Sequence, residues 1–359
     1  MNICIVCGAR PNFIKVAPLI RAIKAGKSGV SYRLVFTGAA DDPTIESSLF
    51  DDLEIPKPDE CLGVTCQNLN ELTGQVMQHF EEYLQKNQTD TVVVVDDLAS
   101  TMAVAIVTKK HGIRLAHIAA GTRSFDINMP KEVNRLVIDG LSDILFTAGA
   151  SNNSIANREG AELSKVYMVG NILMDNLRFI HDKLQRPAIF DSLNVKDHKY
   201  IVFTLNRKAL INNADNMQSM VDAIISNCGQ VPIIAPLRGA ASDVVLACLT
   251  TNDKKIFNIV GPMPYLQFSY LTANAMGIIT DSGNVAEEAT FNHVPCITLN
   301  SYTEHIETVR VGTNVLVGED ATKLGSAVAD MVAGKWKQGD LPDCWDGRTA
   351  ERILSILEK

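Results

Sequence analysis

The stretch "ICIVCGARPNFIKVAPLIRAIKAGKSGVSYRLVF", residues 3–36, predicts a strand, a helix and a second strand in succession. Ile3–Val6 is apolar and β-branched, Phe13–Ala25 carries apolar residues at helical spacing, and Tyr32–Phe36 is again strand-like. Continuous apolar strands that alternate with helices indicate a parallel sheet covered by helices on both faces. The stretch therefore predicts a doubly wound α/β fold.

The same pattern continues along most of the 359 residues. It predicts a first Rossmann-like domain over 1–170, a second over 171–342, and a C-terminal helix within 343–359 that crosses back to the first domain. Two such domains would face a cleft at the carboxyl ends of their strands, where ligands of this architecture bind. The further predicted strands are Thr91–Val95, Arg114–Ile118, Ile144–Thr147, Val166–Val169, Ile201–Thr204, Pro232–Pro236, Lys255–Val260, Met276–Thr280 and Cys296–Leu299.

Charge and cysteine usage narrow the class of protein. The formal net charge is −8, which disfavours nucleic acid or an anionic membrane surface as the main partner. No apolar run has the length of a membrane span, and the start "MNICIVCGAR" lacks signal-peptide features, so we expect a cytoplasmic protein. The eight cysteines are scattered, and Cys4 and Cys7 are expected to be buried, reduced thiols rather than metal ligands.

The turn after the first strand, "CGARPNFIK" at residues 7–15, is a candidate phosphate site. Gly8 permits a tight turn into a helix, and Arg10 and Lys15 bracket the helix start. The alternative is an ordinary strand–turn–helix with two solvated cations. One glycine excludes a dinucleotide fingerprint, and no Walker sequence is present.

A second turn, "IITDSGNVAEEA" at residues 278–289, also joins a strand to a helix. The backbone N–H groups and the Ser282 hydroxyl can form an anion site, and Glu287 or Glu288 can accept hydrogen bonds from a ribose diol. The alternative is helix capping by Asp281 or Ser282, with acids that favour the helix dipole.

Two further polar segments follow predicted strands. "HIAAGTRSFDINMPKEVNR", residues 117–135, holds two arginines, an Asp, a Lys and a Glu between Arg123 and Arg135. "TLNSYTEHIETVRVGTN", residues 298–314, places Thr303, Glu304 and Glu307 after the strand near Leu299. Both are candidate parts of the same ligand site.

Taken in order, these segments resemble the non-hydrolysing UDP-N-acetylglucosamine 2-epimerases. The resemblance runs from about Met1 to Asp320 and rests on motifs that are specific as a set. It implies two Rossmann-like domains in the GT-B arrangement, a homodimer, and UDP or a UDP-sugar as ligand, with no nicotinamide cofactor or metal required. The motifs are "GARPNFIKVAPLI", "LEIPKPD", "AGTRSFDINMPKEVNR", "DSGNVAEEA", "PCITL" and "TEHIETVRVGTNVLVG".

In such enzymes UDP leaves across C1–C2 as the C2 proton is abstracted, and it returns with C2 inverted. This chemistry needs carboxylates beside C2 and cations on the diphosphate. The resemblance assigns catalysis to Asp97, Glu132 and Arg135. It assigns substrate binding to Arg10, Lys15, Arg207, Ser282, Gly283, Asn284, Glu288, Thr303 and Glu304.

Several expected reactive groups are replaced. Ala119 stands where the family has an acid, Lys131 replaces the first of two acids, and Asn206 replaces a histidine. Losing one positioned acid or base costs about 10²–10⁴ in rate. We therefore expect a UDP-sugar-binding protein with weak or lost 2-epimerase activity, which would sense the nucleotide sugar or pair with an active relative in a mixed oligomer.

Two alternatives stay open. The chain could be an active epimerase in which Asp97, Glu132 and Asp126 do the proton transfer, since Asp97 survives. It could instead act on a different nucleotide sugar, or be a transferase that uses the same cleft, since the sugar side of the site is rebuilt.

Overall fold

The computed structural model describes residues 1–26, 29–159 and 164–359. The chain forms two compact units: unit 1 comprises Met1–Ile180 with Asp343–Lys359, and unit 2 comprises His181–Pro342. Each unit is a parallel sheet flanked by helices, as the apolar strands predict.

Unit 1 is built on a seven-stranded sheet with the order β3-β2-β1-β4-β5-β6-β7. The strands before β4 are added on one side of β1, and β4 and the later strands are added on its other side. The turns after β1 and β4 therefore lie side by side at a topological switch point. The strands are β1 Asn2–Cys7, β2 Ser31–Phe36, β3 Glu60–Cys61, β4 Thr91–Val95, β5 Arg114–Ala120, β6 Ile144–Thr147 and β7 Lys165–Met168. The helices are α1 Arg10–Ala25, α2 Ser47–Leu53, α3 Leu69–Lys86, α4 Ala99–Lys110, α5 Pro130–Leu141, α6 Ala150–Glu159 and α7 Ile172–Ile180.

Unit 2 is built on a six-stranded sheet with the order β10-β9-β8-β11-β12-β13, and its switch point lies between β8 and β11. The strands are β8 Ile201–Phe203, β9 Ile233–Pro236, β10 Phe257–Val260, β11 Gly277–Thr280, β12 Cys296–Thr298 and β13 Asn314–Leu316. The helices are α8 Ile189–Ser192, α9 Lys208–Ile211, α10 Ala214–Asn227, α11 Gly239–Cys248, α12 Tyr265–Ala273, α13 Gly283–Phe291, α14 Ile306–Arg310 and α15 Ala321–Val332. Short 3₁₀ turns occupy His181–Lys183 and Asp253–Lys255.

The central strands are buried on both faces. All five residues of β4, "TVVVV", are buried, and β8, β11 and β12 are buried along their lengths. This burial fixes the strand ends, so the polar residues that follow each strand are held in place at one edge of the sheet.

The helix α16, Thr349–Leu357, returns to unit 1 after unit 2 is complete. Asp175 of α7 accepts hydrogen bonds from the N–H groups of Thr349 (3.1 Å) and Ala350 (2.8 Å). The Trp345 indole donates to the Ala148 carbonyl (2.9 Å). The bonds from Asp175 satisfy two N–H groups at the start of α16, and together with the Trp345 bond they hold this segment on unit 1.

The boundary between the units differs from the prediction at one point. Helix α7 stays with unit 1, so the first boundary follows Ile180 rather than residue 170. Asn176 explains this, because it accepts a hydrogen bond from Arg21 Nη2 (2.6 Å) and donates to the Ile14 carbonyl, both on α1.

All eight cysteines lie within the described residues and are free thiols, with Cys4 and Cys7 buried. Among the described residues, we find no helix with the length and apolar character needed to cross a membrane.

Candidate functional site

The turn after β4 carries a cluster of ion pairs around Asp97, which we call the Asp97 cluster (Asp97, Lys131, Glu132 and Arg135). Arg135 on α5 donates to Asp97 Oδ2 from Nε (2.8 Å) and Nη2 (2.6 Å), and Lys131 Nζ lies 3.4 Å from Oδ1. Burial raises the pKa of Asp97, but the charges of Lys131 and Arg135 outweigh it and hold that pKa below its ordinary value. Asp97 is therefore an ionised and weakly basic carboxylate.

Glu132 fixes the loop that precedes α5. Its carboxylate accepts hydrogen bonds from Ser124 N (2.8 Å), Ser124 Oγ (2.9 Å) and Phe125 N (3.1 Å), and it pairs with Arg135 Nη1 at 3.1 Å. Burial raises the pKa of Glu132, but the bonds from Ser124 and Arg135 hold it below its ordinary value. These contacts favour a positioning role for Glu132 over proton transfer.

The phosphate site predicted after β1 is filled by the protein's own groups. Asn12 Oδ1 accepts the N–H groups of Gly8 (2.9 Å) and Ala9 (3.2 Å). Lys15 Nζ pairs with Asp96 Oδ1 at 2.6 Å, and only 9% of the Lys15 side chain is exposed. The described contact of Arg10 is an exposed pair with Glu46 at 3.3 Å. These contacts join the turn after β1 to Asp96, beside Asp97, and the phosphate-binding role of Arg10 and Lys15 stays a prediction.

A buried carboxylate, Asp139 on α5, connects the turns after β4 and β5. Its Oδ1 lies 2.7 Å from His117 Nδ1, and its Oδ2 accepts from Gly121 N (3.0 Å) and pairs with Arg123 Nη1 (2.7 Å). His117 Nε2 in turn lies 3.0 Å from the Asp96 carbonyl. Asp139 was not among the predicted site residues, although Glu132, Arg135 and Asp139 follow helical spacing on one face of α5.

Ala119 lies at a register irregularity in β5 and has φ +68°, in the left-handed region. A non-glycine residue costs about 1 kcal/mol or more in this conformation. The backbone at this position is therefore distorted although the side chain is only a methyl group.

In unit 2, the turn after β11 leads directly into α13. Asp281 Oδ2 accepts from Asn206 N (2.7 Å) and Arg207 N (2.5 Å), so it ties this turn to the one after β8. Ser282 is the N-cap residue of α13, and its side chain makes no capping hydrogen bond. The N-terminal turn of α13, which includes Gly283 and Asn284, therefore remains suited to an anion.

Glu288 is a buried acid within α13. In the described part of the chain, its Oε2 has no hydrogen-bond partner. Burial, with a smaller contribution from the Glu287 charge, raises the pKa of Glu288 to about 8. A hydroxyl group of a ligand would satisfy this carboxyl group.

His305 covers the start of α13. Its Nδ1 lies 2.7 Å from Glu287 Oε1, and its main-chain N–H donates to Thr303 Oγ1 (3.0 Å). A Cβ atom on Gly283 would lie 2.3 Å from His305 Nε2, so the ring packs directly on that glycine. The half-buried Glu304 precedes it in the chain.

Arg207 lies at the edge of the same cluster. Its guanidinium donates to Asn300 and pairs with Glu319, and about a third of the side chain is exposed. The structure therefore brings together Asp97, Glu132 and Arg135 in unit 1, and Ser282, Gly283, Thr303 and Arg207 around Asp281 and His305 in unit 2. Among the described residues, no group of three or more His, Cys, Asp or Glu side chains is arranged to hold a metal.

Comparison with known proteins gives a consistent result. The family model described as UDP-N-acetylglucosamine 2-epimerase matches residues 21–358. A Methanocaldococcus jannaschii UDP-N-acetylglucosamine 2-epimerase is 36% identical over 99% of both chains. A Pseudomonas aeruginosa UDP-2,3-diacetamido-2,3-dideoxy-D-glucuronate 2-epimerase is 31% identical over the full length of both. The crystal structure of the M. jannaschii enzyme in complex with UDP-GlcNAc and UDP superposes with a TM-score of 0.85, at 33% identity and 99% coverage of both chains.

Proposed function

Because the chain belongs to the UDP-N-acetylglucosamine 2-epimerase family, we propose that it binds a UDP-sugar and has weak or no standard 2-epimerase activity. The observation that carries the binding proposal is the uncapped N-terminus of α13, followed by the buried Glu288 with an unpartnered carboxyl oxygen. The helix N-terminus suits the diphosphate, and Glu288 suits a ribose hydroxyl.

The low activity follows from the contacts of the surviving acids. A general base works best when its pKa is near the operating pH. Asp97 is paired with Arg135 and Lys131, and Glu132 is fully engaged by Ser124, Phe125 and Arg135, so neither is such a base.

The first test combines binding with proton exchange. We expect UDP and UDP-GlcNAc to bind in calorimetry, and the C2 proton to exchange with deuterated water at least about 10²-fold more slowly than the roughly 10 s⁻¹ of a median enzyme. Turnover of UDP-GlcNAc near 10 s⁻¹ would refute the loss of activity. Absence of heat with both ligands would refute the function itself.

A double variant tests why activity is low. A119E/K131E restores the two carboxylates that the family has, and residue 119 already carries a Cβ atom in its left-handed conformation. We expect C2 exchange to rise by about 10²-fold, because one positioned acid or base contributes 10²–10⁴. The matched control, A119Q/K131Q, has similar volume without the charges and should stay at the wild-type rate.

A second candidate is turnover of a different UDP-sugar. The P. aeruginosa relative is named for a UDP-sugar with a glucuronate carboxylate. Lys131 replaces an acid here, and 59% of its side chain is exposed, so it could pair with such a carboxylate. Calorimetry with UDP, UDP-GlcNAc and UDP-2,3-diacetamido-glucuronate tests this alternative. Tighter binding of the last ligand by the wild type, lost in K131Q, would favour it.

A further inference from the structure

The buried ring of His117 faces a hydrogen-bond acceptor at each of its two nitrogens. Nδ1 lies 2.7 Å from Asp139 Oδ1, and Nε2 lies 3.0 Å from the Asp96 carbonyl oxygen. A carbonyl oxygen can only accept, and so can an ionised carboxylate. Where Asp139 is ionised, both ring nitrogens must therefore donate, and the ring is an imidazolium.

The surroundings of Asp139 favour its ionised form. Its Oδ2 accepts from Gly121 N at 3.0 Å and pairs with Arg123 Nη1 at 2.7 Å, and only 3% of the side chain is exposed. Burial raises the pKa of Asp139, but the hydrogen bond and charge of His117, together with Arg123, outweigh it and hold that pKa below its ordinary value. A buried carboxylate of this kind needs nearby positive charge.

Arg123 supplies only part of that charge, because it is shared between two carboxylates. Its Nε pairs with Glu159 Oε2 at 2.9 Å, while its Nη1 pairs with Asp139. Glu159 also pairs with Arg158, whose side chain is mostly exposed and therefore screened by water. An imidazolium at His117 completes the compensation of Asp139 inside the protein.

The other charged groups beside the ring form pairs of their own. Asp96 Oδ1 pairs with Lys15 at 2.6 Å, and the carboxylate of Asp97 pairs with Arg135 and Lys131. These pairs give the ring neither a proton acceptor nor a competing cation at its two nitrogens.

The two bonds of the ring hold two strained turns. Asp96 and Ala119 have φ +59° and +68°, in the left-handed region that residues with a Cβ atom rarely adopt. The bond to the Asp96 carbonyl fixes the turn that continues directly into Asp97. Asp139 binds Gly121 N, two residues after Ala119, and it lies on α5, which also carries the cations of the Asp97 cluster.

We propose that His117 is a buried imidazolium and the positioning residue of the Asp97 cluster. One ring nitrogen fixes the turn that carries Asp97, and the other fixes this turn to α5, which carries the partners of Asp97. The charge of the ring follows from its own contacts. The part that the cluster plays towards a UDP-sugar rests on the proposed function.

Nitrogen NMR of the full-length protein labelled with ¹⁵N-histidine tests the charge of the ring. We expect both His117 nitrogens to carry protons at pH 7.5, with their signals identified by their loss in H117Q or their change in D139N. An unprotonated His117 nitrogen in the wild type at pH 7.5 overturns the inference and leaves the proposed function standing.

D139N tests the partner of the ring without changing its shape. The Asn amide can donate to Nδ1, while its carbonyl oxygen still accepts from Gly121 and Arg123. We expect the ring in D139N to hold a single proton, on Nε2, directed at the Asp96 carbonyl.

The titration of the Asp97 carboxyl group, followed by ¹³C NMR, tests the positioning role. Glutamine has one amide nitrogen, so H117Q can keep at most one of the two bonds, and the pKa of Asp97 should rise towards its ordinary value as its cations move away. H79Q is the matched control in unit 1: His79 Nδ1 lies 2.6 Å from the Leu62 carbonyl, and its loss should leave the pKa of Asp97 unchanged.

D139N should shift the pKa of Asp97 in the same direction by less, because the bonds of the ring still form but lose their charge assistance. The same Asp97 titration in the wild type, D139N and H117Q overturns the positioning role, and D139N alone decides where thermal unfolding shows H117Q to be unfolded. Calorimetry with UDP-GlcNAc on the wild type is run in parallel. Absence of heat there overturns the proposed function, while the NMR results still decide the charge and role of His117.

Discussion

Asp97 and Glu288 are two carboxyl groups whose surroundings shift their pKa values in opposite directions. Asp97 is buried among cations, which hold its pKa below the ordinary value, whereas burial raises the pKa of Glu288 to about 8. Their side-chain chemistry is nearly the same, so the difference lies in the neighbours that each fold element supplies. At neutral pH, Asp97 is charged and Glu288 retains its proton.

The Glu288 shift predicts a pH dependence of stability. The folded protein holds this proton up to about pH 8, whereas the unfolded chain releases it near the ordinary glutamate pKa of 4.5. The stabilisation is therefore complete below about pH 4.5 and is lost as the pH rises through 8. We expect E288Q to avoid this loss, so its stability advantage over the wild type should grow to the order of a few kcal/mol at pH 8.

Thermal unfolding midpoints at pH 5, 6, 7, 8 and 9 measure this difference. D330N, which removes an exposed acid on α15, should run parallel to the wild type. Parallel curves for E288Q and the wild type would show that Glu288 is not held neutral.

At the scale of elements, the turns after β1 and β4 are packed tightly together. A Cβ atom on Gly8 would lie 2.2 Å from Ser100 Oγ, in the first turn of α4. This contact places the start of α4, and with it the turn that carries Asp97, directly beside the start of α1.

We expect G8A to destabilise the protein by about 1–3 kcal/mol because it overpacks this contact. S100G should recover part of the loss in the double variant G8A/S100G, since it removes the clashing hydroxyl. G74A is the control: no atom of the described residues lies within 4 Å of a Cβ at Gly74 in α3, so it should stabilise by roughly 0.5–1 kcal/mol. Urea unfolding measures the wild type and the variants G8A, S100G, G8A/S100G and G74A, and additive effects of G8A and S100G would rule out the contact.

The strands could be read from the sequence because they are short apolar runs with a buried environment on both sides. Thr91–Val95 and Ile144–Thr147 were predicted residue for residue. The edge strands Glu60–Cys61 and Asn314–Leu316 were missed, since two or three residues carry no periodicity.

The site was only partly predictable. The residues indicated that Ser282 lies in a polar turn after a buried strand, whereas Asp97 and Arg135 were assigned through the resemblance to the family. The sequence could not show that Asn12 fills the turn after β1, that Glu132 is saturated by a loop, or that His305 lies on Gly283. These are contacts between residues distant in sequence, and side-chain partners follow from packing rather than from local pattern.

At the scale of the whole molecule, unit 1 is assembled from two separate parts of the chain. Residues 343–359 join it through α16, whose first turn is capped by Asp175 rather than by its own N-cap residue. Ile353 and Leu357 of α16 are buried. Asp175 thus joins α7 to α16 by hydrogen bonds between residues that are more than 170 positions apart in the sequence.

We expect D175A to lower stability by about 1–2 kcal/mol, the usual cost of a lost helix cap. D175N should lose less, because its carbonyl oxygen can still accept one of the two bonds. D182A removes a fully exposed acid, with 98% of the side chain accessible, and should match the wild type. Hydrogen–deuterium exchange of the 349–357 amides reads the effect locally, and unchanged protection in D175A would contradict the capping role.

Because unit 1 is made of two separate parts of the chain, it also determines the order in which the two units can fold during synthesis. Every residue of unit 2 is synthesised before α16, so the half that we propose to hold the nucleotide can fold while the first half still lacks a helix. Until α16 emerges, the surfaces of α1 and α7 that it covers are open to other nascent chains or to chaperones. Translation thus produces α1 and α7 first, and it produces α16, which packs on them, only after all of unit 2 has been synthesised.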